Sequence, residues 1–383
     1  MCANEIPPRP RRRGDRGFAL AIAIFALVII AALIVGIFFA ANQEMRLGMN
    51  SRTSVRALGA SEAGLNATVA NWQTGTWNAL AVGDSAALTP GILASNGGSY
   101  AGWVRRLNTQ LFLIKSTGTD PQNSAQRTLA GFVRLQMIDM NFRAALTVRG
   151  STTVGGSALL DGRDTPPAAW TECPTTGLDT LPGLSIPTTS GSSIDLGNIN
   201  GDPKVVQDAT INDSTFFKYG DLDWDELVAM ATMVFPAGDV GPLNQVGPVG
   251  TTTACTTSNM SNWGDPHRSA STRGCWNYFP IIYVNGNLKM TGGFGQGILL
   301  VTGDMEIAGG AEFYGPAIIR GHLKSTGTGG LFLGGVMAAN VDMESNTVLG
   351  NSLINYSSCA LATALRGSSP GRMFRERSWA EVF

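Results

Sequence analysis

The stretch from Phe18 to Ala41 contains no charged residue and no proline, and it fixes the architecture of everything around it. As a helix its 24 residues are about 36 Å long, enough to cross a ~30 Å hydrocarbon core with some tilt. A basic block, Arg11-Arg12-Arg13-Gly14-Asp15-Arg16-Gly17, adjoins this stretch on its N-terminal side alone. The positive-inside rule then keeps the first residues in the cytoplasm and sends the rest across the membrane.

A secretory signal has a shorter apolar core, roughly 7–15 residues, followed by small residues at a cleavage site. Here a helical pattern continues instead through Met45, Leu47, Met49, Val55, Leu58, Leu65 and Val69, to about Trp72. An uncleaved single-span anchor is one reading. The junction Arg16-Gly17-Phe18, with glycine against phenylalanine at the head of a hydrophobic helix, resembles the class III leader of type IV pilins. Ala60-Ser61-Glu62-Ala63-Gly64-Leu65 is similar to the Ala-Glu-Ala-Gly-Leu stretch that closes the N-terminal segment of PilX-like pilus assembly proteins. The resemblance covers residues 10–72. It implies that a prepilin peptidase cuts after Gly17 and methylates the new terminus at Phe18, and that Glu62, Ala63 and Gly64 form an assembly motif. The implied partners are the inner membrane, the peptidase, other pilin subunits and the pilus assembly machinery. The chain would then be a single-pass inner-membrane protein whose C-terminal part is exported to the periplasm or into a surface pilus. Major pilins carry glutamate at the fifth mature position; here it is Ile22. A lone carboxylate in hydrocarbon is costly, so Ile22 eases membrane residence and removes an assembly contact, which points to a minor or priming subunit.

Charged residues make up 14% of the chain, below the usual ~25%, and the net charge is −1, so nothing suggests nucleic-acid binding. Of five cysteines, Cys2 precedes the span. Cys173, Cys255, Cys275 and Cys359 would be exported, an even number in an oxidising compartment, which suggests two disulfides. Sequence does not choose among the three pairings. Proximity favours Cys255–Cys275, which leaves Cys173–Cys359; free buried thiols are the alternative.

Beyond the helix, strand-like runs occupy 100–107, 110–116, 126–135 and 142–148, with a turn signal at Thr117-Gly118-Thr119-Asp120-Pro121. An antiparallel meander lying on the helix is expected. Further on, four segments align: Val284-Asn285-Gly286-Asn287-Leu288, Val301-Thr302-Gly303-Asp304-Met305, Ile319-Arg320-Gly321-His322-Leu323 and Met337-Ala338-Ala339-Asn340-Val341. Their centres, Gly286, Gly303, Gly321 and Ala339, are about 17–18 residues apart, the mark of a β-solenoid. An extra coil is read at 146–162, and residues 223–235 read as a helix. The fold expected is mainly β with a long N-terminal α-helix: a pilin-like helix and β meander followed by a short β-solenoid. The divisions are a leader at 1–17, a transmembrane helix at 18–72, a meander head at 73–145, a solenoid at 146–360 with an insertion at about 163–276, and a tail at 361–383. The stretch 295–356, with Tyr356-Ser357-Ser358-Cys359-Ala360-Leu361 and Arg377-Ser378-Trp379, resembles the β-helical C-terminal domain often attached to PilX-type segments. No activity comes with that resemblance.

Chemistry is sparse. The two histidines, His267 and His322, have no zinc-ligand spacing around them, and no metal or cofactor is expected. Alternation puts Arg320, His322 and Lys324 on one face, with Asp304 and Glu306 one coil below. Such an acid–base ladder occurs in β-helical enzymes that cleave polysaccharides, but an exposed polar face with cross-coil ion pairs is the favoured reading, since fold analogy alone does not establish function and no second acidic cluster joins the first. Asp221-Leu222-Asp223-Trp224-Asp225-Glu226 lacks the glycine and glutamate of a calcium loop and reads as a helix N-terminus. Gly292-Gly293-Phe294-Gly295-Gln296-Gly297 reads as a coil corner rather than a phosphate loop, and no serine has a Gly-x-Ser-x-Gly setting. A structural subunit, not an enzyme, is the favoured class; an anchored β-helical enzyme or binder of envelope polysaccharide is the alternative.

Overall fold

A computed structural model describes residues 16–136, 138–176, 178–220, 222–342, 352–374 and 379–382. Residues 1–15 of the expected leader, with Cys2, lie outside the described residues, as do Asp221, Arg377 and Ser378.

Helix α1 (Arg16–Ala70) is one uninterrupted rod, free of proline. Its apolar first half is exposed along its length, with Phe18, Leu27 and Phe38 all more than 60% accessible. Burial begins at Ala57 and recurs at Ala60, Ser61, Gly64, Leu65 and Thr68, a spacing of three and four that defines one face. That face lies on an antiparallel sheet, entered past the one-turn helix α2 (Thr74–Trp77), in which β1 (Ser85–Ala87) and β2 (Gly91–Ile92) both pair with β3 (Ser99–Arg106), followed by β4 (Leu111–Thr119) and β5 (Gln126–Leu135). Along β4 buried residues alternate with half-buried ones: Phe112, Ile114, Ser116 and Gly118 point inward. A Cβ on Gly118 would sit 2.1 Å from the Ala57 carbonyl oxygen, so only glycine lets helix and strand approach so closely. The turn after β4 starts later than its sequence signal suggests. Thr117–Thr119 still belong to the strand, and the chain reverses around Asp120, whose carboxylate accepts from Ala125 N at 2.6 Å and Ser124 Oγ at 2.9 Å.

The residues expected as a tail finish this sheet. After the short helix α4 (Ser358–Ser368), Gly371–Met373 and Trp379–Glu381 both pair antiparallel with β5. Residues 146–356 are thus inserted between two strands of one head sheet.

The insert is built from parallel pairings at the offset that the sequence period requires. Leu288 lies opposite Met305, 17 residues on, and Met305 opposite Leu323, 18 residues on. One column of the stack runs, in space, through Met233–Phe235, Ile281–Val284, Ile298–Val301, residues 317–319, residues 336–338, Leu146–Val148, Leu184–Ile186 and Val205–Gln207. The last three rungs in space are the first in sequence. The chain enters mid-stack at Leu146, builds outward to 207, crosses to the far end, and winds back until 336–338 docks on 146–148. Residues 163–276, expected as one long insertion between coils, therefore contribute rungs of their own. The run 142–148 narrows to a strand at Leu146–Val148.

The crossing segment explains an oddity of composition. The column strands that this segment covers are apolar on both faces, as in Ile298-Leu299-Leu300-Val301, all four buried. Their inner side chains, such as Leu299, Val301 and Ile319, fill the stack. Their outer ones, Ile298, Leu300 and Ile318, are covered by Phe216, Tyr219, Leu222, Trp224 and Leu227 of the crossing segment. The helix expected over 223–235 is one short piece of it, α3 (Trp224–Ala229), started by an Asp223/Glu226 capping box. It stops there, and Met233–Phe235 becomes the first rung, because Met233 fills the stack interior.

Candidate functional site

The processing residues head α1. Phe18 is 74% accessible, Gly17 has helical backbone, and Ile22 is exposed on the same rod. The apolar half of α1 is long enough to cross a bilayer and is exposed along its length, so α1 is a candidate single membrane span. The Glu62-Ala63-Gly64 motif splits between two environments. Glu62 faces solvent and Ala63 is half-buried, while Gly64 is pressed onto the head sheet. A Cβ there would come within 2.4 Å of Ser116 Oγ and 2.6 Å of the Tyr100 ring, so Gly64 is needed for close helix–sheet packing.

The cysteines form two bonds, Cys173–Cys359 and Cys255–Cys275. The first ties the loop around Trp170 to the first turn of α4. The second closes a loop around Asn262, whose amide donates to Val249 O and Thr256 O.

The acid–base residues of the repeats line an outer groove of about 520 Å³ that also includes Asp239, Asn287 and Lys289. Two ladders build it. In one, each side chain reaches the next rung: Asn287 Nδ2 donates to Asp239 Oδ1 at 2.9 Å, Asp304 N donates to Asn287 Oδ1 at 2.7 Å, and His322 N donates to Asp304 Oδ1 at 2.8 Å. In the other, Glu306 bridges Lys289 at 2.9 Å and accepts from Thr326 Oγ1 at 2.8 Å. The Lys289 hydrogen bond and then Thr326 hold the Glu306 carboxyl below its ordinary pKa. A general acid at neutral pH needs the opposite shift. Asp304 and Glu306 are thus engaged in joining rungs. Arg320, expected beside His322 and Lys324, leaves the face. A bulge at Arg320-Gly321 turns it away, and its guanidinium stacks on Phe217 at 4.3 Å and Trp224 at 5.1 Å.

His267 has a setting that its lone position in sequence did not foretell. Nε2 lies 2.8 Å from Glu312 Oε2, the ring packs on Phe294, and Tyr314 donates to the same carboxylate oxygen at 2.9 Å. Gly292-Gly293 turns the corner before Phe294, with Gly293 at φ +77°. Among the described residues no group of three or more His, Cys, Asp or Glu is arranged to hold a metal ion.

No family profile matches the chain, and no curated protein does. Among solved structures it is similar to the competence-associated pilin ComZ from Thermus thermophilus. The two are 14% identical over 86% of this chain and 98% of that one, with a TM-score of 0.26, too low to establish a shared fold.

Proposed function

We propose that this chain is a membrane-anchored, pilin-like structural subunit of a type IV pilus system, in which the inserted β-solenoid forms an adhesive or capping head. The observation that carries this reading is the division of α1: an apolar half left uncovered by the described residues, preceded by arginines in the sequence, and a second half buried face-down on an antiparallel sheet. The exposed half is long enough to reside in a bilayer and then to pack among identical helices in a filament. Ile22, where bulk pilins have glutamate, supports a minor or priming role. Processing after Gly17, methylation of Phe18, and dealings with a prepilin peptidase and other pilin subunits belong to this reading.

The N-terminus of the mature protein tests it. Mass analysis of the membrane-purified chain is expected to give a methylated Phe18 terminus, and Gly17→Arg is expected to leave a longer, unmethylated form. Normal-length mature protein from Gly17→Arg overturns the proposal. A second reading, binding or cleavage of envelope polysaccharide by the stack, rests on the outer groove. The engagement of Asp304 and Glu306 between rungs counts against cleavage there. Polysaccharide cleavage by the wild-type protein that is lost in a folded Asp304/Glu306/His322 triple-alanine variant would favour it.

A further inference from the structure

Where the head meets the stack there is a cavity of about 530 Å³, separate from the outer groove, and its charge is one-sided. Arg106, Arg268 and Arg366 line it, against a single carboxylate, Glu172. In a chain with only 14% charged residues and a net charge of −1, three guanidiniums around one cavity are an anomalous concentration.

The three differ in how they are held. Arg106 is buried, and its guanidinium donates to the carbonyls of Asn78, Leu80, Asn108 and Thr109. These bonds fix the group but leave its charge unopposed. Arg268 is nine-tenths buried. It donates to Trp276 O at 2.6 Å and Glu172 Oε1 at 2.8 Å, while its buried Nε has no partner. Arg366, on the last turn of α4, is exposed, and its guanidinium has no hydrogen bond or ion pair among the described residues. Burial and then the Arg366 charge lower the pKa of Arg106, so the two guanidiniums repel one another across the cavity. An anion between them would relieve that repulsion. Buried Thr363 and half-buried Trp276 also line the wall, and the Trp276 ring lies 5.8 Å from the Arg268 guanidinium and 5.4 Å from that of Arg273. Guanidinium, hydroxyl and aromatic surface together suit a ligand that is anionic, rich in hydroxyls and flat on one side.

We infer that this cavity binds an acidic sugar unit, its anionic group on Arg366 and its ring against Trp276. A uronate and a sugar phosphate share that chemistry. The pilin-like reading is not required for it.

The test uses the full-length protein in detergent, titrated calorimetrically with a uronic-acid disaccharide, a sugar phosphate, the neutral disaccharide of the same linkage, and a short DNA duplex. Binding of the uronate or the sugar phosphate is expected, and whichever binds more tightly identifies the source. The neutral sugar is expected to bind at least about tenfold more weakly, since a charge-assisted hydrogen bond is worth that much or more. Arg366→Ala, at an exposed position where the side chain has no hydrogen bond or ion pair among the described residues, is expected to fold normally and weaken acidic-sugar binding by about tenfold or more. Lys324→Ala, in the outer groove, is expected to leave it unchanged. Undiminished binding by Arg366→Ala, equal binding of the neutral sugar, binding of the duplex alone, or no binding at millimolar ligand overturns the inference.

Discussion

Gly303→Ala is the substitution in which the repeat and the energetics of the stack can be read together. Gly303 lies between Gly286 of one rung and Gly321 of the next, with backbone bonds Gly303 N to Gly286 O at 3.0 Å and Gly321 N to Gly303 O at 3.1 Å. A methyl on Gly303 would stand 2.3 Å from Asn287 Oδ1 and 2.8 Å from the Gly286 carbonyl carbon and oxygen. Neither partner can simply swing aside. One is backbone, and the other is the acceptor of the Asp304 N bond in the side-chain ladder. Overpacking of this kind costs about 1–3 kcal/mol, and loss of the ladder bond adds about 1 kcal/mol. Reduced freedom of the unfolded chain returns about 0.4–1 kcal/mol. The net loss is roughly 1–3.6 kcal/mol, a factor of about 5–400 in the opening equilibrium of the rungs. Peptide-resolved hydrogen exchange over 281–325 reads that factor directly. Gly48→Ala is the control: it lies on the exposed helix with nothing within 4 Å and should leave these amides untouched. Unchanged protection of 281–325 in Gly303→Ala would falsify the close-packing argument. At the next centre the chain already carries Ala339, and there two residues, Arg320 and Gly321, oppose one.

Four further outcomes follow from the same geometry. Ile319, fully buried in the stack, becomes an unpaired buried charge in Ile319→Asp, which should cost several kcal/mol and unfold adjacent rungs together; a cooperative melt at the wild-type midpoint would refute this. Intact-mass analysis without reductant should show about four hydrogens fewer than the reduced chain, two per bridge, and four alkylatable thiols in the native protein would contradict the pairing. Asn78 Nδ2 donates to the carbonyls of Arg366 and Ser369 at the end of α4, both at 2.8 Å; Arg366 O also accepts from Ser369 N, so Asn78→Ala chiefly strips Ser369 O of its donor, should cost about 1–3 kcal/mol, and should deprotect 358–373 in hydrogen exchange ahead of the rest of the head. At Asp161 burial raises the carboxyl pKa, but Arg163 and Asn200 outweigh it and leave the folded value below the unfolded one of about 3.9. Its contribution is therefore present above the unfolded value and lost as pH falls through the folded one, so Asp161→Asn should flatten the acid limb of a stability–pH curve; an identical limb would show that the pair does not matter.

The features legible in sequence are those where one periodicity governs a long run. The uncharged stretch 18–41 and the inward alternation of Phe112 and Ile114 are of this kind, as are the glycines 286, 303 and 321 that face each other across rungs. What sequence concealed depends on neighbours distant in the chain. Rungs such as Ser193–Ile194 are too short to carry a period. The order of stacking has no local signal, because every rung offers its neighbour the same backbone edge and a similar apolar interior. The strand run at 233–235 reads equally as helix, since Leu227, Val228, Met230 and Val234 fit that spacing too. Arg320 obeys alternation until a single extra residue turns it onto Phe217 and Trp224. The cavity at the head–stack junction draws on residues 106, 268 and 366, and no motif spans such distances.

The stack is entered at Leu146 and left at Tyr356, on rungs that lie close together, with the head sheet on either side of it in the chain. Mechanically it is a side loop. A pull on α1 is resisted by the helix buried on β3, β4 and β5 and by the strands 371–373 and 379–381 hydrogen-bonded to β5, and none of that load has to travel through the rungs. The helix-and-sheet part and the stack are in this way mechanically decoupled within one chain. Rungs added to or removed from the insert would change how far it projects while leaving the strength of the strut beneath it as it was.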